Sequence, residues 1–372
     1  MNLIPSLLPF LFIGSAWLFH NADQTPPTSS PVRAEEMVSG LTSPWAIEFL
    51  PGGDWLITDK PGTLYRSAPG KPLQKVTGVP EVWLNGQGGL LDVKAHPDFA
   101  RNRWIYLSYS TTTKGSREGN TRLMRAELNG TTLSEQKILL TGTPPSGGNV
   151  HFGSRIAFDK DGYLFLSIGE RGSKENAQDL TNHSGKIHRL HDDGRIPSDN
   201  PFLKTAGAIP SIYSYGHRNP QGMLWDSTRQ ILWAHEHGPK GGDEINIIRK
   251  GINYGWPVIT YGVNYSGTKI TDKTHQEGME QPVLVWTPSI APCGLELVTS
   301  DRYPGWKGSL LAGSLSYTHI RRVILNGNSV IGQEELLPGI GRVRDIAQGP
   351  DGWIYFSIEN PGKIYRLMPV GK

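Results

Sequence analysis

Several polar residues able to bind an anion stand just before strand-like runs of this 372-residue chain. They are an amide, a histidine, an arginine–asparagine pair and two more arginines, namely Gln87, His151, Arg218, Asn219, Arg342 and Arg344. If the runs are strands around one axis, their starts lie on one rim of a central channel. Cationic, amide and imidazole groups gathered there predict a pocket for a polyanionic ligand.

A second polar cluster lies in HEHGPKGGDEINIIRKGINYGW, residues 235–256. His235 and His237 stand two residues apart, which on a strand directs both to one face without a third zinc ligand nearby. The segment also offers hard oxygen ligands of the kind calcium prefers, at Gly238, Pro239, Asp243 and Glu244. Calcium is therefore favoured over zinc, and the alternative is a surface turn with a solvated acidic pair.

The elements that must position these residues recur six times. Each unit has three strand-like runs, and the central ones are GGDWLITDK, NRWIYLSYS, DGYLFLSIG, RQILWAHEH, KGSLLAGSL and DGWIYFSIE. Short β-branched and aromatic runs bounded by turn residues are typical of buried strands, and 45 glycines and 28 prolines supply such turns. The pattern predicts an all-β fold, a six-bladed β-propeller.

A fourth, outermost strand completes most units. The candidates are residues 73–80, 135–144, 210–216, 281–289 and 333–341. For the last unit we expect the segment RAEEMVSGLTSP, which precedes the first innermost strand, to supply the missing strand. The blades are then four-stranded, and this N-terminal strand closes the propeller and covers an open sheet edge.

The chain divides into three predicted parts. Residues 1–20 are apolar without a charged side chain and predict a signal peptide, with an uncleaved membrane anchor as the alternative. Residues 21–35 form a polar linker, and residues 36–372 form the propeller domain. Either interpretation predicts a protein exported to the periplasm or a similar compartment, which an anchor would tether to the membrane.

The composition argues against nucleic-acid binding and against a disulfide or a nucleophilic cysteine. A net charge of +3 without a basic run argues against nucleic-acid binding. The single cysteine, Cys293, allows no intrachain disulfide, and its apolar setting IAPCGLEL predicts a buried small side chain rather than a nucleophile.

The motifs GQGGLLDV, HFG-R, SYG-RNPQG, EHGP-GGDEIN, NYGWP, GVNYSG and R-RD together resemble the soluble pyrroloquinoline-quinone (PQQ) dependent sugar dehydrogenases. The similarity is to their periplasmic aldose sugar dehydrogenase branch and covers about residues 36–368. It implies a six-bladed propeller that binds PQQ and calcium. The implied reaction is oxidation of an aldose at its C1 hydroxyl to the lactone, by histidine-assisted hydride transfer to PQQ.

The resemblance also implies roles for individual residues. His151 stands at the position of the catalytic base, and Arg218 would stabilise charge that grows on the quinone oxygen. The implied PQQ or active-site contacts are Gln87, Arg218, Asn219, Tyr265, Arg342 and Arg344. The carbonyls of Gly238 and Pro239 would hold the calcium that bridges to PQQ, and Glu244 and Tyr254 match a calcium site of the aldose branch.

Two positions depart from the family pattern. Ser316 stands where the family has a lysine that contacts PQQ, and Val150 precedes the histidine where Asp or Asn is usual. These departures favour one alternative, a non-enzymatic propeller that binds a protein or glycan. A second alternative is a calcium-dependent lactonase-type hydrolase, which also uses a central metal and a histidine. The expected partners are an aldose and an unidentified electron acceptor, and the protein is expected to be a monomer or dimer.

Overall fold

A computed structural model describes residues 31–113 and 115–370, so the predicted signal peptide or anchor at 1–20 lies outside the described residues. Within these ranges, 24 strands form six four-stranded antiparallel sheets, which confirms the predicted six-bladed β-propeller. The helical elements there are α1 (Phe99–Asn102) and a 3-10 turn (Lys174–Ala177). No helix in the described part of the chain is long and apolar enough to cross a membrane.

After β1 (Val32–Leu41), the first three blades run from innermost to outermost strand in chain order. Blade one contains β2 (Pro44–Phe49), β3 (Trp55–Asp59), β4 (Thr63–Ser67) and β5 (Gln74–Lys75). Blade two contains β6 (Leu90–Ala95), β7 (Trp104–Thr112), β8 (Gly119–Asn129) and β9 (Thr132–Thr141). Blade three contains β10 (Ile156–Phe158), β11 (Leu164–Ile168), β12 (Lys186–Leu190) and β13 (Ile212–Tyr215).

Blades four and five follow the same order, and blade six draws one strand from the start of the chain. Blade four contains β14 (Pro220–Asp226), β15 (Ile231–Glu236), β16 (Asp243–Ile248) and β17 (Leu284–Trp286). Blade five contains β18 (Pro292–Leu297), β19 (Leu310–Ser314), β20 (Ile320–Asn326) and β21 (Ser329–Leu336). Blade six contains β22 (Arg342–Gln348), β23 (Ile354–Glu359) and β24 (Gly362–Pro369), with β1 outermost.

Strand β1 closes the ring, as the sequence predicts. It pairs antiparallel with β24, from Val32 opposite Pro369 to Leu41 opposite Gly362. The strand begins at Val32, inside the segment predicted as linker (21–35), because the pairing with β24 extends as far as Pro369. An ion pair between Glu35 and Arg366, at 2.7 Å, lies on this seam.

Five of the six innermost strands contain a β-bulge, an extra residue that interrupts pairing with the second strand. The bulges lie toward the start of each strand, at the end of the channel where the predicted site residues stand. Four residues at these bulges line one cavity, namely Trp45, Leu91, Gln221 and Arg344. The bulges therefore determine which side chains face this end of the channel.

Hydroxyl groups of the second strands satisfy backbone groups beside the bulges. The Ser108 hydroxyl accepts a hydrogen bond from the N–H of Asp92 at 3.0 Å and donates to the carbonyl of Ser154, in the next blade's innermost segment, at 2.6 Å. Thr58 and Ser167 join their blades to the next in the same way. Each hydroxyl thus pairs two buried backbone groups and links adjacent blades.

Candidate active site

A cavity of about 340 Å³ opens where the innermost strands begin. Trp45, Leu91 and Phe152 form its apolar wall. Of the residues that the sequence predicts as cofactor contacts, five line the cavity, namely Gln87, Tyr265, Ser316, Arg342 and Arg344. Tyr265 stands at the mouth, since 73% of its surface is exposed.

Three cations and one carboxylate make the polar wall electropositive. Lys60, Arg342 and Arg344 line the cavity together with Glu359. The Glu359 carboxylate accepts hydrogen bonds from Nε of Arg344 at 2.7 Å and Nε of Arg342 at 3.2 Å. Burial favours a higher pKa for Glu359, but Arg344 and Arg342 outweigh burial and lower this pKa. The ionised carboxylate therefore fixes both guanidinium groups, while Lys60 donates to the carbonyl of Gly86 at 2.9 Å.

His151 lies beside this cavity, next to the lining residues Gln87 and Phe152. Its backbone N–H donates to Oε1 of Gln87 at 2.8 Å. Nδ1 lies 2.7 Å from Oε1 of Glu170, and because a carboxylate accepts, Nδ1 carries the proton. Nε2 then holds a free lone pair, and no hydrogen-bond partner for it occurs in the described ranges. Burial lowers the pKa of His151, Glu170 opposes that shift and Arg218 adds to it, so the imidazole is neutral.

Glu170 supplies the polar contact that Val150 cannot. It is not among the residues that the sequence predicts for the site, although it lies two residues after β11 in the run LFLSIGE. Its side chain is nearly buried, with 3% of its surface exposed. The orientation of the His151 ring therefore depends on a carboxylate from a different strand rather than on the residue before the histidine.

A single topological rule could have found the missed residues. A second strand runs antiparallel to its innermost strand, so its end lies at the same rim as the innermost strand's start. Four charged or titratable residues occupy such ends, after β3, β11 and β15 and within β23, namely Lys60, Glu170, His237 and Glu359. Three of them line the cavity and the fourth holds His151.

Arg218 and Asn219 lie directly behind the wall rather than in it. Nη1 of Arg218 donates to the carbonyls of His237 and Gly238, each at 3.0 Å. Oδ1 of Asn219 accepts from the N–H of Gly153 at 3.2 Å, and among the described residues Nδ2 of Asn219 has no partner although it is buried. Both side chains thus support loops that form the cavity edge.

A second, much smaller space of about 10 Å³ adjoins Arg218 and contains part of the predicted calcium set. Gly238, Glu244 and Tyr254 line it together with Glu236, which is not among the residues that the sequence predicts for this site. Pro239 is buried next to Gly238 but is not part of this lining. The space is large enough for one atom-sized occupant.

Two carboxylates meet at this small space. Burial raises the pKa of Glu244, and the nearby Glu236 raises it further. The Tyr254 hydroxyl donates to the carbonyl of Ile247 at 2.6 Å, so only its backbone is free to bind a cation. Within 31–113 and 115–370, no three His, Cys, Asp or Glu side chains form a metal cluster. A cation here would use two carboxylates and backbone carbonyls, a donor set that suits calcium.

The other candidate residues of this segment have structural roles. Asp243 accepts hydrogen bonds from the N–H of Gly238 and the hydroxyl of Ser289, both at 2.8 Å, and so shapes the Gly238 loop. Nε2 of His235 is 3.0 Å from the carbonyl of Gly294, and Nε2 of His237 is 2.8 Å from that of Pro292. A carbonyl only accepts hydrogen bonds, so Nε2 carries the proton in both rings and is not available to zinc.

The sequence and the fold match known proteins over nearly the whole chain. The family model for glucose/sorbosone dehydrogenases matches residues 41–366. The aldose sugar dehydrogenase YliI of Escherichia coli K12 is 42% identical over 346 residues, 91% of this chain and 93% of that protein. The quinoprotein glucose dehydrogenase B of Acinetobacter calcoaceticus is 26% identical over 434 residues, 89% of this chain and 90% of that protein.

Among solved structures, the PQQ-bound aldose sugar dehydrogenase of Streptomyces coelicolor matches with a TM-score of 0.76 at 30% identity, covering 92% of this chain and 99% of that one. Fold and relatives define the class of protein, a six-bladed β-propeller oxidoreductase. The chain belongs to the glucose/sorbosone dehydrogenase family. The resemblance stated from the motifs is thereby confirmed.

Proposed function

We propose that this protein oxidises aldoses at the C1 hydroxyl to the lactone, with PQQ and calcium as cofactors and a separate electron acceptor. The observation that carries the proposal is the neutral His151 imidazole, which lies next to the cavity-lining residues Gln87 and Phe152 and whose Nε2 has no partner among the described residues. An imidazole held by a carboxylate is suited to take a hydroxyl proton. The aldose substrate class follows the E. coli and S. coelicolor relatives.

The cavity fits PQQ in charge and in size. PQQ carries three carboxylates, and Lys60, Arg342 and Arg344 surround the space with cations. A volume of about 340 Å³ suits a flat tricyclic molecule. Gln87 offers an amide on the same wall, and Ser316 offers a hydroxyl.

When bound, PQQ supplies the acceptor for the hydride that leaves the sugar's C1. Nε2 of His151 takes the C1 hydroxyl proton, and the C=O bond of the lactone forms. Glu170 stabilises the imidazolium that results, because its carboxylate contacts the opposite ring nitrogen. The Arg218 charge, fixed by two carbonyl bonds, stabilises negative charge that develops at the cavity edge.

Calcium is proposed at the Gly238 loop. The carbonyls of Gly238 and Pro239 would hold the ion that contacts PQQ, and Glu244 with the Tyr254 backbone would hold a cation in the small space behind. The raised pKa of Glu244 supports this, because burial and the nearby Glu236 carboxylate disfavour its negative charge, which a bound cation would stabilise. Asp243 keeps the loop in place through the Gly238 N–H.

Reconstitution tests the proposal. Purified protein prepared without PQQ should show no aldose oxidation in a dye-reduction assay and should gain it when PQQ and Ca²⁺ are added together. A chelator added before PQQ should prevent the gain. Arg344→Met should weaken PQQ binding, and Arg321→Met, on a strand of blade five away from the cavity wall, serves as the matched control. Aldose oxidation in a chelated, PQQ-free sample would contradict the proposal, as would lactone hydrolysis without PQQ.

We also infer export, on the basis of the apolar segment 1–20. Cell fractionation of the native producer, followed by N-terminal sequencing of the mature protein, tests this. A protein recovered in the cytoplasm with residues 1–20 intact would contradict export.

A further inference from the structure

Arg171 is a fully buried cation beneath the loop that carries His151. Only 1% of its surface is exposed. Its guanidinium donates from Nη1 to the carbonyl of Val150 and from Nη2 to the carbonyl of Gly148. No carboxylate forms an ion pair with it in the described part of the chain. Burial lowers the pKa of Arg171 to about 10, so the group stays charged at neutral pH.

The same guanidinium also covers an aromatic ring of the cavity wall. Its central carbon lies 3.4 Å from the centroid of the Phe152 ring, and Phe152 lines the cavity. Stacking on an aromatic face is a favourable position for a desolvated guanidinium. Arg171 therefore contacts the loop on both sides of His151, at the residue before it and the residue after it.

The loop requires such support because its backbone is strained. His151 has a φ of 54° and Ser154 a φ of 88°, conformations that residues other than glycine rarely adopt. Two glycines let neighbouring backbone segments of the chain approach each other closely. A Cβ at Gly148 would lie 2.4 Å from the Arg171 carbonyl oxygen, and a Cβ at Gly169 would lie 2.4 Å from the His151 carbonyl oxygen.

We propose that Arg171 is a positioning residue for His151, which fixes the histidine's backbone while Glu170 fixes its ring. This inference rests on the proposed function of His151 as the base. It also explains how the loop tolerates Val150, because a buried guanidinium holds the carbonyl of that residue and no polar side chain is needed there.

The charge of Arg171, like its contacts with the loop, supports the role of His151 as a base. Three charged groups act on the His151 imidazole, namely Glu170, Arg218 and Arg171. Burial contributes most to the lowered pKa of His151, and the two arginines lower it further. Arg171 thus helps to keep the imidazole neutral and ready to accept a proton.

The test compares Arg171→Met and Arg171→Lys with Arg322→Met. Arg322 is an equally buried control in blade five, with 1% exposure, a position 4.8 Å over the Trp306 ring and a bond to the Gly305 carbonyl, although it also pairs with Glu334. We expect Arg171→Met to lower kcat roughly tenfold or more, the scale of a misplaced catalytic group. KM and the Kd for PQQ should stay within about threefold, and Arg171→Lys should recover part of kcat.

A second readout uses protein without PQQ. NMR titration of histidine ring signals, with the His151 signal assigned from His151→Ala, should show a higher pKa for His151 in Arg171→Met than in the wild type. If wild-type protein fails to oxidise aldoses, the proposed function fails while this readout still reports on Arg171. The positioning role is wrong if kcat and the His151 pKa are both unchanged in the folded variants, or if Arg322→Met lowers kcat equally. Should Arg171→Met fail to fold, Arg171→Lys decides by kcat alone, because lysine keeps the charge but not the paired carbonyl contacts; a kcat equal to that of the wild type would then contradict the positioning role.

Discussion

Ser108 and Ser357 occupy equivalent positions on the second strands of blades two and six, yet only the Ser108 hydroxyl bridges two blades. Ser108 accepts from the N–H of Asp92 and donates to the carbonyl of Ser154. The Ser357 hydroxyl is buried without a partner in the described residues. The Ser108 hydroxyl therefore stabilises the contact between blades two and three, whereas the Ser357 hydroxyl contributes little to the stability of blade six.

We predict that Ser108→Ala lowers the free energy of unfolding by roughly 2–4 kcal/mol, because a buried N–H and a buried carbonyl lose their partner. Ser357→Ala should change it by less than about 0.5 kcal/mol, because no hydrogen bond is lost. Urea unfolding followed by fluorescence measures both. Equal losses in the two variants would contradict the bridging role of Ser108.

His151→Ala should lower kcat for aldose oxidation by roughly 10²–10⁴-fold, the usual contribution of a positioned general base. The Kd for PQQ should change by less than about threefold, because Lys60, Arg342 and Arg344 carry the charge that binds its carboxylates. His275→Ala, at an exposed position, is the control. Near wild-type turnover in His151→Ala would place the base elsewhere.

Glu170→Gln should lower kcat roughly 10- to 10³-fold, because the imidazolium loses its stabilising charge. Since the Glu170 hydrogen bond raises the pKa of His151, its loss lowers that pKa. The acid limb of the kcat profile should therefore move to lower pH. Glu175→Gln, an exposed carboxylate in the following turn, should leave both unchanged. An acid limb that moves to higher pH would argue against this contact.

Ser316→Lys should tighten PQQ binding by adding a cation to the cavity wall. Ser316 is exposed, so the new contact contributes on the order of 1 kcal/mol, several-fold in Kd, and weakens as salt is raised. Ser329→Lys, at an exposed site on the outermost strand of blade five, controls for net charge. A Kd that does not change, or a gain that salt does not reduce, would show that position 316 does not contact PQQ.

The calcium-free protein should become less stable as pH rises above about 4.5, the ordinary pKa of a glutamate. Burial and Glu236 raise the folded-state pKa of Glu244, so above 4.5 the unfolded chain has released a proton that the fold retains. Added Ca²⁺ should therefore raise Tm more at about pH 8 than at about pH 5. Glu244→Gln should remove this difference, and a Ca²⁺ effect independent of pH would contradict the site.

The six units and their order could be predicted because buried strands with turn residues between them repeat along the chain. The outermost strands could not be bounded in the same way, since they are half exposed and their pairing depends on neighbours. The pattern predicts one strand over residues 73–80, yet β5 covers only Gln74–Lys75. The N–H of Thr77 instead donates to the carbonyl of Thr131, beside blade two.

Within the site, Gln87, Arg342 and Arg344 could be predicted because strand starts share one rim. Glu170 follows only when the same rule is extended to the ends of the second strands. Arg171 could not be predicted, because its role arises from a loop that folds back on His151, and its contacts depend on the positive φ of His151 and on the close approach at Gly148. A local sequence pattern contains neither feature.

The pairing of β1 with β24 sets a folding order as well as an architecture. Val32 and Pro369 come from opposite ends of the chain, and contacts of such sequence separation form late because closing a long loop costs entropy. Until β1 docks, β24 presents an unpaired edge on which a strand from another molecule can add. The unclosed ring is therefore the species most exposed to aggregation. Its lifetime depends on how quickly the ten residues of β1 pair with β24.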